Sequence, residues 1–141
     1  MTYEYFIALP MSSLYMEEFK KIKLLAQKIL VLFEENNIPV YCAIDGSDQF
    51  TNSDEALKAD MYALYNSKNF ILIYPKNVQS SVIFEAGVAY AENKPSTYFV
   101  QKVQDLPYIM RHSKKVRDNI EIVEYKNSKD ILKNIKTLIK I

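Results

Sequence analysis

Five short runs of aromatic and β-branched residues alternate with helical segments along this chain, and no other feature narrows the fold as much. The first run, Tyr3 to Leu9, stops at Pro10, which has no N–H to give a sheet ladder. From Met16 to Asn36, Phe19, Ile22, Ala26, Ile29, Leu30 and Phe33 recur at helical spacing, and Asn36 and Asn37 end the pattern. Pro39 to Ile44 reads as a second strand. The polar stretch Asp45 to Asn52 leads to Ser53, a suitable N-cap. The helix it opens is expected to carry Leu57, Met61, Leu64 and Tyr65 on one face. Asn69 to Tyr74 is the third strand, closed by Pro75, and a third helix follows over about Ser81 to Asn93 until Lys94-Pro95 stops it. Thr97 to Gln101 is a fourth strand, Leu106 to His112 a short helix, Ile120 to Tyr125 a fifth strand and Asp130 to Ile141 a closing helix.

Strands that alternate with helices form a parallel sheet covered on both faces. The expectation is therefore an α/β fold over residues 1–141, a single domain. Its form is a flavodoxin-like, doubly wound five-stranded parallel sheet of order 2-1-3-4-5 with helices on both faces. A chain of 141 residues buries about two-thirds of its unfolded surface, enough for one core. In such sheets ligands bind beyond the carboxyl ends of the strands, where the strand order reverses. Here that point lies between strands one and three, walled by Leu9 to Tyr15 and Tyr74 to Ser81.

Composition removes several function classes. The formal net charge is +1, so no bulk attraction to nucleic acid or membrane is expected. No stretch approaches the ~18 apolar residues of a membrane span, and Glu4 and Pro10 interrupt any signal-like start. Cys42 is the one cysteine, which points to a reducing, cytoplasmic setting without disulfides. His112 is the one histidine, so neither a Ser/His/Asp set nor a histidine metal cluster is expected. The two glycines, Gly46 and Gly87, exclude glycine-rich phosphate loops. Strand three ends in Ile73-Tyr74-Pro75, where a phosphoacceptor domain wants an aspartate. Ser12-Ser13 supplies two hydroxyls after strand one, a thin signal for a flavin loop, and no cofactor or metal is expected.

Glu85 stands within the otherwise apolar run Val82 to Ala91. Burying an ionised carboxylate is costly unless it is paired or used. The plainer alternative puts Glu85 on a solvated edge with Ser81, Ala89 and Glu92, favoured there by the helix dipole. Asp60 lies at the border of the Leu57/Met61/Leu64 face, where a surface role is the simpler one. Tyr5 reads most simply as core, Ser80 and Ser81 as N-caps of helix three. Arg111, His112, Lys114, Lys115 and Arg117 read as a solvated basic turn.

Together these placements carry a resemblance. Tyr5-Phe6-Ile7-Ala8-Leu9-Pro10-Met11-Ser12 resembles the first strand and loop of the nucleoside 2-deoxyribosyltransferase family. Asp60, followed by Leu64, Ser67 and strand three, looks like that family's aspartate. Ser80-Ser81-Val82-Ile83-Phe84-Glu85-Ala86-Gly87-Val88-Ala89, then Asn93-Lys94-Pro95, is similar to its Glu-x-Gly-x-Ala helix. Asp60 and Glu85 are 25 residues apart, close to the spacing in the deoxynucleoside-monophosphate N-glycosidase branch. The resemblance implies a homo-oligomeric hydrolase or transferase that cleaves an N-glycosidic bond. It assigns Glu85 as nucleophile, Asp60 as the acid near the leaving base and Tyr5 as the hydroxyl that orients the nucleophile. Ser12, Ser13, Ser80, Ser81 and Gly87 would lie along the substrate. Leu9-Pro10-Met11 replaces the family's glycine-rich loop, and the apolar C-terminal helix has no match to its substrate contacts.

The ligand implied is a nucleoside, a nucleotide or NAD. NAD enters because Toll/interleukin-receptor-like NAD-cleaving domains also use a glutamate on a flavodoxin-like fold. A non-catalytic nucleotide-binding signalling module is the rival from another class.

Overall fold

The computed structural model describes residues 1–11, 14–42 and 53–140, without the side chain of Ser53. Its elements are β1 (Tyr3–Ala8), α1 (Met16–Glu35), β2 (Val40–Cys42), α2 (Ser53–Tyr65), β3 (Ser67–Tyr74) and α3 (Ser81–Ala91). They continue with β4 (Ser96–Val100), a 3-10 turn (Val103–Asp105), α4 (Tyr108–Arg111), α5 (Ser113–Val116), β5 (Ile120–Glu124) and α6 (Ser128–Leu138). The five strands form one parallel sheet of order β2-β1-β3-β4-β5, the expected doubly wound topology.

β3 is the spine. Ile71 and Ile73 pack with Ile22, Ala26, Ile29, Phe33, Ile131 and Ile135 beneath α1 and α6. Phe70, Leu72 and Tyr74 pack with Leu64, Val82, Ala86 and Ala89 beneath α2 and α3. β1 alternates in the same way, with Tyr5 and Ile7 toward α1 and Phe6 and Ala8 toward α2 and α3. Tyr74 then shapes the exit from β3. Its hydroxyl donates to the Val78 carbonyl at 2.6 Å and accepts from the Val78 N–H at 3.1 Å, which sets the path into α3.

Several element bounds differ from expectation for local reasons. β3 starts at Ser67, whose Oγ donates to the Ala63 carbonyl at 2.6 Å and joins the strand to the end of α2. α6 starts at Ser128 because the Asn127 side chain caps it, accepting from the Asp130 N–H at 3.1 Å. The short helix expected over Leu106 to His112 is the single turn Tyr108–Arg111, and a further turn, Ser113–Val116, follows after His112. The end of the expected second strand, Ala43-Ile44, and the Asp45 to Asn52 loop lie outside the described residues.

Two of the expected inward residues of α2 face solvent. Leu57 is 52% and Tyr65 55% exposed, whereas Ala63 and Leu64 are buried. Leu57 shares a stripe with Leu64 but lies about 10 Å nearer the helix start, and it stays exposed. Tyr65 is turned about 100° from Leu64.

The basic run is also more than a solvated turn. Arg111 donates from Nε and from its terminal nitrogen to the carbonyls of Leu106 and Gln104, both at 2.8 Å. Lys114 pairs with Glu121. Arg117 donates to the Tyr90 carbonyl, with its guanidinium 3.9 Å from the centre of the Tyr90 ring. These cations fasten α4 and α5 to the body of the fold.

Truncation of β3 and of α2 should separate core from surface. Ile71→Ala, at a fully buried site, is expected to cost about 2–5 kcal/mol in urea unfolding. Leu57→Ala should cost less than about 1 kcal/mol in the same measurement.

Candidate functional site

Three segments bring polar side chains to the α2/α3 face of the sheet. β2 contributes Tyr41, in register with Phe6 of β1. The Tyr41 ring stacks on Phe6 with centroids 5.4 Å apart and meets Tyr3 edge-on at 5.6 Å. These aromatic contacts fix the direction of its hydroxyl. α2 contributes Asp60, one turn before Leu64, the residue that anchors the helix to the core. α3 contributes Glu85, among the buried residues Val82, Ala86 and Ala89. Ser80 caps that helix, accepting from the Val82 N–H at 3.4 Å, so Glu85 sits just past the anchored first turn.

Glu85 is 4% exposed, which rules out a solvated edge. The Tyr41 hydroxyl donates to Oδ1 of Asp60 at 2.8 Å. Burial pushes the Glu85 carboxyl up to about 8, and the negative charge of Asp60 adds to the rise. Burial also raises Asp60, while the hydrogen bond from Tyr41 pulls it back down. Tyr41 is raised by burial first, then by its bond to Asp60, with the charges of Asp60 and Glu85 among the further causes. The three groups thus titrate as a coupled set. Near neutral pH Glu85 holds a proton, and Asp60 takes a hydrogen bond from a neutral phenol.

The other expected site residues are placed differently. Tyr5 is not beside Glu85. Strand alternation turns it to the opposite face, where its ring packs on Phe33 of α1 at 5.2 Å. Gly87 follows Glu85 by two residues, so it points about 200° away around the helix. There it lines an apolar cleft of about 560 Å³ between α3 and α4–α5, with Tyr90, Tyr108, Met110 and Val116. A Cβ at Gly87 would meet nothing within 4 Å, so no close approach requires a glycine there. Ser80 serves as the N-cap, and the exposed Ser81 lies one turn before Glu85 on the same stripe. Ser12 and Ser13 lie outside the described residues. Asn93-Lys94-Pro95 has structural work: Asn93 adopts a left-handed φ of 55°, and Lys94 donates to the carbonyls of Ser67 and Tyr65.

Tyr41 is the site residue that sequence reasoning missed. The available signal was a tyrosine inside a short strand beside β1, whose hydroxyl must find a partner once its ring is covered. Among the described residues no cluster of His, Cys, Asp and Glu could hold a metal ion.

The Glu85 shift sets a stability test. Its folded value, about 8, lies above the ordinary 4.5, so the folded protein binds the extra proton. Stability is unaffected by this group below about pH 4.5 and falls as pH rises from there through about 8. Glu85→Gln removes the penalty. At pH 8 the variant should be more stable than wild type by about 2–4 kcal/mol, and near pH 4.5 the two should be nearly equal, as read from urea midpoints. An equal gain at both pH values would contradict a buried, proton-holding Glu85. In comparison with known proteins, the chain matches no family model and no curated sequence.

Proposed function

We propose that this protein cleaves, or transfers, the N-glycosidic bond of a nucleoside or nucleotide, with Glu85 as the carboxylate that meets the anomeric carbon. The observation that carries this reading is the burial of Glu85 beside Asp60, one turn into the helix that follows β3. Doubly wound sheets bind ligands at the carboxyl edge of their strands, and the switch in strand order falls between β1 and β3. The likeness of the α3 motif to the deoxyribosyltransferase helix points the same way.

The reaction needs one acid and one carboxylate, and a coupled pair that holds one proton supplies both. In the reactive microstate the pair's single proton, which rests on Glu85 in the free protein, is on Asp60. As the C1′–N bond breaks, its electron pair leaves with the base, and Asp60 gives that proton to a ring nitrogen. Glu85, as carboxylate, stabilises the oxocarbenium-like sugar or bonds to C1′. Tyr41 then donates to the newly ionised Asp60, which makes Asp60 the stronger acid. Attack at C1′ by water gives hydrolysis and returns a proton to Asp60. Attack by another base gives transfer.

NAD carries the same type of bond and belongs on the substrate panel. A second copy of the chain is the partner that suits the exposed Phe84, Tyr108, Ile109 and Val116. The buried Cys42 suits a reducing, cytosolic setting.

Nucleobase release from deoxynucleosides, their monophosphates and NAD, followed by liquid chromatography, tests the proposal. Wild type should release base from at least one of them and Glu85→Ala from none. Asp60→Asn should be about 10²–10⁴-fold slower. Because the pair must hold one proton in total, kcat/KM should fall as pH rises through about 8, where that proton is lost. A rate that keeps rising through the same range would show that the reaction uses no proton of the pair. No release by folded wild type across the panel would overturn the catalytic reading, and binding without release would leave the signalling module.

A further inference from the structure

A second cleft, of about 470 Å³, opens at the carboxyl edge of the same sheet but on its α1/α6 face. Its size falls in the range of small-molecule sites. Lys21 on α1, Lys76 after β3 and Lys126 after β5 converge on it. Glu18 lines it too and pairs with Lys76 at 2.7 Å, while the Lys76 ammonium lies 4.9 Å from the centre of the Tyr15 ring. Lys76 is thereby held in place across the β1/β3 crevice, and its charge is balanced by Glu18. Lys21 and Lys126 are left as the excess positive charge of the lining. This excess is local, because the whole chain carries only +1. Asp130 stands near the rim with Oδ2 accepting from the Lys126 N–H at 2.8 Å, and Asp105 is close enough to act on Tyr125.

The remaining lining is divided by chemistry. Ile22, Leu25 and Tyr125 form an apolar part, drawn from the buried core of that face. Tyr125 is buried, and burial keeps its phenol protonated, so it can donate a hydrogen bond. Asn127 and Ser128 bring in the start of the 11-residue α6, whose dipole adds to the positive field. A cleft with cations at one part and an aliphatic–aromatic floor at another matches an anion attached to a flat or apolar body. It does not match a bare ion.

We propose that this cleft binds a small phosphorylated ligand of mononucleotide size, with its phosphate between Lys21 and Lys126 and its body on Ile22, Leu25 and Tyr125. The sheet separates this site from Glu85, Asp60 and Tyr41, and nothing in the proposal depends on cleavage at Glu85. The chain would then carry two small-molecule sites on opposite faces of one sheet edge.

The test uses the full chain at low salt. AMP, ribose 5-phosphate, adenosine and inorganic phosphate are titrated calorimetrically, with backbone amide shifts followed by NMR. AMP is expected to bind, with shifts at Lys76, Gln101, Lys126 and Ser128. Ribose 5-phosphate should bind more weakly and adenosine weaker still at this site. Lys21→Gln with Lys126→Gln, two exposed positions, should weaken AMP at least tenfold, while Glu85→Gln should leave those shifts unchanged. AMP shifts confined to Tyr41, Asp60 and Glu85 would overturn the proposal, as would AMP affinity untouched by the lysine pair. Inorganic phosphate binding as tightly as AMP would overturn the nucleotide-sized ligand. Base release has no part in these readouts, so a failure of the catalytic reading is seen separately.

Discussion

Burial of β3 on both faces is the constraint from which the rest of this structure follows. A strand whose two surfaces are apolar must be covered twice, and a chain of this length can do so only with helices that cross from one parallel strand to the next. The crossovers put α1 and α6 over Ile71 and Ile73, and α2 and α3 over Phe70, Leu72 and Tyr74. They also gather the loops that follow β1, β3, β4 and β5 at one edge. The sheet then divides that edge into two environments. One holds the acid pair among apolar helix residues; the other holds three lysines above an aliphatic floor.

The acid pair gains its chemical interest from what acts on it. Burial and a neighbouring negative charge both oppose ionisation of Glu85, and neither cause is a cation. A positive charge that develops on a bound sugar would supply the missing counter-charge. Its attraction to Glu85 is greatest in the transition state, when the sugar is most cationic, which is the condition for acceleration rather than mere binding. A carboxylate matched by a fixed arginine would bring less to the same reaction, since its charge would already be satisfied.

How much of this was legible in the sequence depended on whether a local pattern or a tertiary choice decided the matter. The apolar run Phe70 to Tyr74 and the helical spacing of Ile22, Ala26, Ile29 and Phe33 are local, and they were enough for the fold class. The strand order followed from the arrangement common to such sheets. Glu85 was ambiguous because its stripe begins and ends with Ser81 and Glu92. Packing of Val82, Ala86 and Ala89 onto the sheet decided its burial, and spacing alone does not report that. Tyr5 and Tyr41 are the sharpest case. Period-2 alternation says that Tyr5 and Phe6 face opposite ways, but not which of them faces α3. The structure gives that face to Phe6, and the phenol beside the acids comes from β2 instead. The resemblance that singled out Tyr5 carried no information about strand facing. Leu57 had the expected phase, and spacing alone did not report that it stays exposed. Arg111 and Arg117 read as solvated because their acceptors are carbonyls, which sequence patterns do not display.

The kind of partner each polar group finds separates structure from chemistry on the α2/α3 side. Ser67 donates to a backbone carbonyl, as do Ser96, Lys94, Ser113 and Arg117. Such bonds close helix ends and strand starts, and their acceptors are fixed by the fold itself. Tyr41 and Asp60 bond side chain to side chain, between elements 19 residues apart in the chain. Glu85 is coupled to them through charge. None of the three closes an element end, and an apolar residue at position 85 would fit the surrounding Val82, Ala86 and Ala89 at lower energetic cost. A grouping that lowers stability near neutral pH and caps nothing is the feature on which the proposed reaction rests.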